Sequence, residues 1–144
     1  MSGSEVYQRY VAAVMMHGQA SAKAVELGAT DLYALNILKL SGSLTPGELG
    51  RLAGLTTGPT TRLVDRLEQA GYVRRVPDAG DRRKVIVELV AEPSGLDEAL
   101  APVRRKIGAI IQGYSPEQQE LLFDYFARAA DAFQEATEEL RAQG

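Results

Sequence analysis

The feature that most constrains this chain is a stretch from Leu44 to Leu89 in which helix-start and helix-stop signals come twice in quick succession, followed by two β-branched runs. Thr45-Pro46-Gly47-Glu48 is a helix start, with a threonine N-cap, a proline at the first helical position and a glutamate spaced for a capping box. Leu49 and Leu52-Ala53 give this helix its apolar face, and Gly54 stops it at a position suited to positive φ. Leu55 plugs the turn. Thr56 or Thr57 caps a second helix, with Gly58 and Pro59 in its first turn, where a missing N–H costs nothing. Leu63, Val64, Leu67 and Ala70 recur at helical spacing and are expected in the core, and Gly71 is the C-cap. Tyr72–Val76 and Lys84–Leu89 read as strands, separated by the turn residues Pro77-Asp78-Ala79-Gly80-Asp81. Two short capped helices, a tight turn and a hairpin form a winged helix-turn-helix.

Such a module meets DNA with the second helix and the hairpin tip, and the residue types at both places suit that use. Short hydroxyls and arginines at a helix start fit phosphate oxygens and base edges in a major groove. The candidate set on the helix is Thr56, Thr57, Thr60, Thr61, Arg62 and Arg66. On the hairpin it is Arg75, Asp81, Arg82, Arg83 and Lys84, a cluster whose arginines fit a narrow minor groove, with Asp81 placed to orient one of them. On an isolated helix these threonines would merely cap and the arginine would be solvated. A hairpin directly downstream of a helix-turn-helix favours the DNA reading instead.

The formal net charge of −3 looks wrong for a DNA binder until it is divided along the chain. From Leu55 to Lys84 there are seven Lys/Arg against four Asp/Glu, a local +3. From Ser115 to Gly144 there are two against seven, giving −5. The positive lobe is expected to face phosphates while the acidic end points away.

Outside the winged module the chain reads as helical. Glu5 to about Leu27 carries Val6, Tyr10, Ala13, His17, Ala20, Ala24 and Leu27 at alternating four- and three-residue steps, the pattern of a packing seam. Asp31 to Leu40 is a second helix capped by Thr30 or Asp31, with Leu32, Leu35, Ile37 and Leu38 buried. Ser94 to Gln112 is a long helix that Pro102 should kink or divide. Ser115-Pro116-Glu117-Gln118 starts the last helix, where Leu122, Phe126, Ala129, Phe133, Ala136 and Leu140 step four-three-four. One monomer could bury these seams as a bundle. A winged domain that reads a palindrome gains more from a two-fold partner, so homodimerisation through both terminal helices is favoured. The surface would include Val6, Tyr10, Ala13, Leu122, Phe126, Phe133 and Leu140. The expected class is mainly α with a small β-hairpin wing (α+β). Residues 30–93 are the DNA-binding domain, and residues 1–29 and 94–144 are the helical dimerisation region.

These residues together resemble the MarR family of transcriptional regulators over nearly the whole chain. The specific elements are Gly54-Leu55-Thr56, Arg62-Leu63-Val64-Asp65-Arg66-Leu67-Glu68, Gly71-Tyr72-Val73, the wing signature Asp81-Arg82-Arg83, and the late helix opened by Ser115-Pro116-Glu117. The chain departs from common members in carrying Pro59 within the recognition helix. The resemblance implies that the helix from about Thr57 to Ala70 is that recognition helix. Thr61 and Arg62 would contact backbone and bases, and Arg83 would enter the minor groove braced by Asp81. It also implies a homodimeric repressor on a palindromic operator, released by a small aromatic or hydrophobic ligand bound between the helical and winged lobes. Tyr10, His17 and Tyr33 would line that crevice, though a lone histidine on a packing stripe is more often structural.

Composition closes off other chemistries. The chain has no cysteine, which removes disulfides and thiol sensing, and its one histidine argues against a structural or sensory metal site. No cofactor is expected. An enzyme would need a convergent acid, base or nucleophile, and neither a glycine-rich phosphate loop nor a plausible triad is present. With no signal-peptide pattern and no apolar run long enough to span a bilayer, the expected location is the cytoplasm, without a membrane partner. The alternative reading is a winged helix used only for protein interaction, which should lack the basic face seen here.

Overall fold

The first helix of the computed structural model, which describes all residues from Met1 to Gly144, is α1 (Gly3–Ala24). It opens on a capping box: the Glu5 backbone N–H donates to Ser2 Oγ at 3.2 Å, and the Ser2 N–H donates to Glu5 Oε2 at 2.7 Å. It stops short of Leu27. There the Leu27 N–H reaches back to the Ala22 carbonyl and the Glu26 N–H to that of Lys23, with Glu26 at φ 61°. This is a Schellman turn with glutamate where glycine would be unstrained.

Next comes α2 (Ala29–Ser41), whose N-cap is Gly28 and not Thr30 or Asp31. The Asp31 carboxylate does not cap its own helix because it is turned toward Arg66 on a later one. The buried face of α2 is Ala34, Leu35, Ile37 and Leu38, while Leu32 is only half-buried. α3 (Pro46–Ala53) starts with the expected Thr45/Glu48 box and ends at Gly54 in the left-handed region, φ 74°. α4 (Thr57–Gln69) follows from the N-cap Thr56. Ala70, expected in the core, is exposed because it lies past the last helical turn, as the C-cap.

Two strands follow, β1 (Val73–Pro77) and β2 (Val85–Leu89), each shifted slightly from its expected start or end. They pair antiparallel, with Val73 opposite Leu89, Arg75 opposite Val87 and Pro77 opposite Val85. Leu44, just before α3, adds a single bridge to Val87 through two backbone hydrogen bonds of 3.2 and 2.7 Å. The sheet thus ties the entry of α3 to the hairpin. The core lies between: Leu35 and Leu38 from α2, Leu49 from α3, Leu63, Val64 and Leu67 from α4, and Val73 and Val87 from the strands.

The last two helices are α5 (Leu96–Gln112) and α6 (Pro116–Gln143). Pro102 falls in the second turn of α5, which continues through it undivided. α6 begins with a box between Ser115 and Gln118. Residues Met1–Leu100 form one compact unit and Ala101–Gly144 a second, so α1 belongs with the unit that holds the winged module. No helix is long and apolar enough to cross a membrane.

The helix-turn-helix depends on a close crossing of α3 and α4. A Cβ on Gly50 would stand 2.3 Å from Thr60 Oγ1 and 3.3 Å from the Leu55 carbonyl oxygen. Thr60 cannot easily give way, because it is buried and its hydroxyl donates to the Thr56 carbonyl at 2.7 Å. Gly50→Ala is expected to destabilise the fold by about 1–3 kcal/mol through overpacking. A chemical-denaturation midpoint equal to that of the parent would show that the two helices can separate freely.

Candidate nucleic-acid interface

The surface of interest is built on α4, whose inward ridge divides its polar residues into flanks. With Thr60, Leu63, Val64 and Leu67 buried, the helical period places Arg62 and Arg66 one turn apart on one flank. Thr61, Asp65 and Glu68 share the other. Thr60, expected among the exposed contact residues, is therefore a core residue, 4% exposed, and its hydroxyl is satisfied within its own helix.

The start of α4 is open. Thr56 occupies the N-cap position, yet its side chain makes no capping hydrogen bond. Pro59 stands at the third helical position, where an N-cap hydroxyl often finds its N–H partner, and proline has none to give. Thr56 and Thr57 are exposed, and the Thr61 hydroxyl donates to the Thr57 carbonyl at 3.0 Å. Between this helix start and α3 lies a groove of about 350 Å³ lined by Gly47, Gly50, Leu55, Thr57 and Thr61, among others. Arg62 leans back over the first turn, toward Gly58, and has no acidic partner.

Two of the expected cationic contacts have other partners. Arg66 makes a bidentate pair with Asp31 of α2, Nε to Oδ2 at 3.1 Å and Nη2 to Oδ1 at 2.8 Å. Arg75 grips the opposite flank of α4, with Nη1 2.7 Å from Glu68 Oε1 and Nη2 2.8 Å from Asp65 Oδ1. Its backbone N–H also donates to Glu68. The strand register explains this. Arg75 lies opposite the buried Val87 on the inward face of the hairpin, whereas Arg74 lies opposite Glu88 on the outward face and pairs with it there. Arg66 and Arg75, both expected at the DNA, are thus committed to holding the helix that bears the interface.

The hairpin tip keeps its cations outward. Asp81 accepts from the Arg83 backbone N–H at 3.1 Å and from its guanidinium at 3.2 and 3.3 Å, while the Arg83 side chain stays 91% exposed. The guanidinium contact first, and the backbone N–H second, hold the Asp81 carboxyl below the usual carboxylate range. Arg82 and Lys84 are exposed beside it. The turn is closed locally by Asp78, whose N–H bonds the Lys84 carbonyl and whose side chain accepts from Gly80.

The residues expected to line an effector crevice are placed apart from any shared hydrogen bond. Tyr10 and Tyr33 are both about half exposed, at 53% and 52%. His17 is half-buried, with Nδ1 3.3 Å from Ser21 Oγ, whose hydroxyl donates to the His17 carbonyl at 2.7 Å. The dimerisation candidates Val6, Tyr10 and Ala13 on α1 and Phe126, Phe133 and Leu140 on α6 are exposed, while Leu122 is half-buried. No residue of α6 is fully buried within the chain.

Comparison with known proteins bears on all of this. A sequence model of the MarR family matches residues 26–84, the span from the end of α1 to the tip of the hairpin. The chain is 43% identical over 129 residues to YcgE of Bacillus subtilis, an uncharacterized HTH-type transcriptional regulator, covering 89% of this chain and 83% of that protein. It is 31% identical over 109 residues to NicR of Pseudomonas putida, an HTH-type transcriptional repressor, covering 76% of this chain and 66% of that one. Among solved structures, a mutant of MepR from S. aureus bound to an oligodeoxyribonucleotide matches with a TM-score of 0.60. That match covers 92% of this chain and 99% of the other at 15% identity, a likeness of fold.

Proposed function

The chain belongs to the MarR family of transcriptional regulators, and from that premise we propose that it is a homodimeric repressor reading a palindromic operator. The observation that carries the DNA part of this reading is the sorting of cations between Leu55 and Lys84. Arg66, Arg74 and Arg75 are matched to acids within the protein. Arg62 on α4 and Arg82 and Lys84 at the hairpin tip have no such partner, and Arg83, held by its neighbour Asp81, keeps its side chain 91% exposed. Arg62, with Thr56, Thr57 and Thr61, enters a major groove; the tip tracks phosphates and an adjacent minor groove. The repressor role is supported by the relative NicR, which is named a repressor.

Dimerisation is supported by the apolar side chains that α1 and α6 leave in water, Val6, Tyr10, Phe126, Phe133 and Leu140 among them. Residues 1–29 and 94–144 then act as the dimerisation region and residues 30–93 as the reading head. A small aromatic or hydrophobic ligand would release the operator by favouring a dimer geometry whose recognition helices no longer match successive major grooves. Tyr10, His17 and Tyr33 are the side chains offered to it.

The principal test divides labour between α4 and the wing on an operator selected by the protein from random duplexes. Arg62→Ala should cost about 1–3 kcal/mol and relax preference at one position of each half-site. Arg83→Ala should weaken binding to selected and scrambled duplexes alike and make the salt dependence shallower, because an ionic contact per subunit is lost. Unchanged affinity for both variants would favour a protein-interaction role for the winged head. For the dimer, Phe133→Glu should convert the sedimenting species to monomer and weaken operator binding by roughly a hundredfold, since two linked heads bind far more tightly than one. A parent protein that sediments as a monomer at the concentrations used for binding would end that part of the reading. For the ligand, aromatic acids that raise the melting temperature should also release the operator; a screen in which stabilising compounds leave operator affinity untouched would remove it.

A further inference from the structure

We propose that Asp31 is a positioning residue for DNA reading: its bidentate pair with Arg66 fixes the rotation of α4 and so the direction in which Arg62 leaves the helix. The proposal rests on the DNA-binding reading above and concerns a residue that lies outside the interface altogether. Asp31 sits in the first turn of α2 and is 8% exposed. Both of its oxygens are taken by the guanidinium of a residue 35 positions away.

The geometry assigns the pair a directional role that the core cannot fill. Leu63, Val64 and Leu67 fix which face of α4 turns inward, but apolar contact carries no donor–acceptor direction of its own. A two-pronged guanidinium–carboxylate contact is different, because both N–H groups and both oxygens must stay coplanar and in line. Arg66 and Arg62 are four residues apart on the same flank, so a rotation of α4 that breaks the pair also swings Arg62. On the opposite flank Arg75 of β1 holds Asp65 and Glu68. The helix is therefore held from both sides, by an acid of α2 and a base of β1, and its own acids are neutralised in the process. Arg62 is left as the side chain on α4 whose charge is not committed within the protein.

The test uses the full-length protein and a duplex it selects from a random pool, with a scrambled duplex of the same composition, read across a salt series. Asp31→Asn should lower the ratio of selected to scrambled affinity about tenfold while leaving scrambled binding equal or tighter, since Arg66 is set free. Arg66→Lys, which keeps charge and stem but offers only a point contact, should stay folded by circular dichroism and lose the ratio by a similar factor with an unaltered salt slope. The double variant should be no worse than either single one. If Arg66 instead touches phosphate, Arg66→Lys and Asp31→Asn will shift selected and scrambled binding together, and the proposal fails. If the pair serves stability only, the denaturation midpoints will fall with the ratio intact, and it fails likewise. A parent protein that does not discriminate between the duplexes overturns the DNA-binding reading itself and this proposal with it, whereas a discriminating parent whose variants also discriminate overturns the positioning role alone.

Discussion

Leu63, Val64 and Leu67 form a ridge along α4 that is almost sealed from water, and every polar feature of the interface takes its place from that ridge. Burying such side chains stabilises by roughly 1.5–3 kcal/mol each, which makes the inward face of the helix the least negotiable element of the winged unit. Once it is set, a period of 3.6 residues leaves no freedom over the rest. Arg62 and Arg66 must share one flank, and Asp65 and Glu68 the other. Thr60 must go inward, into the space that Gly50 leaves by having no side chain. The close crossing of α3 and α4, the clamp from Arg75 and the grip of Asp31 are all built outward from those three aliphatic residues.

Charge in this molecule is arranged by pairing more than by total. The chain is acidic overall, and its winged stretch is only modestly basic. What distinguishes the surface is that most acids near it are paired, Asp65 and Glu68 with Arg75, Glu88 with Arg74 and Asp81 with Arg83, while Asp78 accepts from the Gly80 N–H. The carboxylates of Asp65, Glu68 and Asp81 are thus engaged by arginines of the protein itself. The exposed pairs contribute little to stability on their own. Their effect is to offset locally the negative charge that α4 would otherwise present.

Much of the fold was legible because its punctuation is local. The capping boxes at Thr45–Glu48 and Ser115–Gln118, the left-handed glycines at 54 and 71, and the turn around Gly80 act over a few residues, and the sequence displays them directly. The box at Ser2–Glu5 carries the same signature and was there to be read. The misplacements share a different cause. Asp31 looks like an N-cap because nothing local points to Arg66, and a partner 35 residues away leaves no periodic trace. Leu44 bridges to Val87 as a single residue, too short to alternate. Two other placements were readable from the period. Thr60 stands at helical spacing from Leu63, Val64 and Leu67, and Arg75 stands two residues from the buried Val73. Period alone puts the first in the core and the second on the inward face of the hairpin, whatever their polarity suggests. Pro102, expected to kink or divide its helix, leaves α5 undivided.

The first turns of α2 and α4 lack the side-chain caps found on α1, α3 and α6. α1, α3 and α6 each begin with a reciprocal side-chain cap, while α4 begins with Thr56 unbonded and Pro59 in place of a donor. The N–H groups of Thr57 and Gly58 have no carbonyl of their own helix to meet. The first-turn donors of α4 are therefore left without the side-chain acceptor that α1, α3 and α6 supply. Those two N–H groups are what this helix start offers to an acceptor from outside the chain, where the positive end of the helix dipole adds to the attraction for an anionic oxygen.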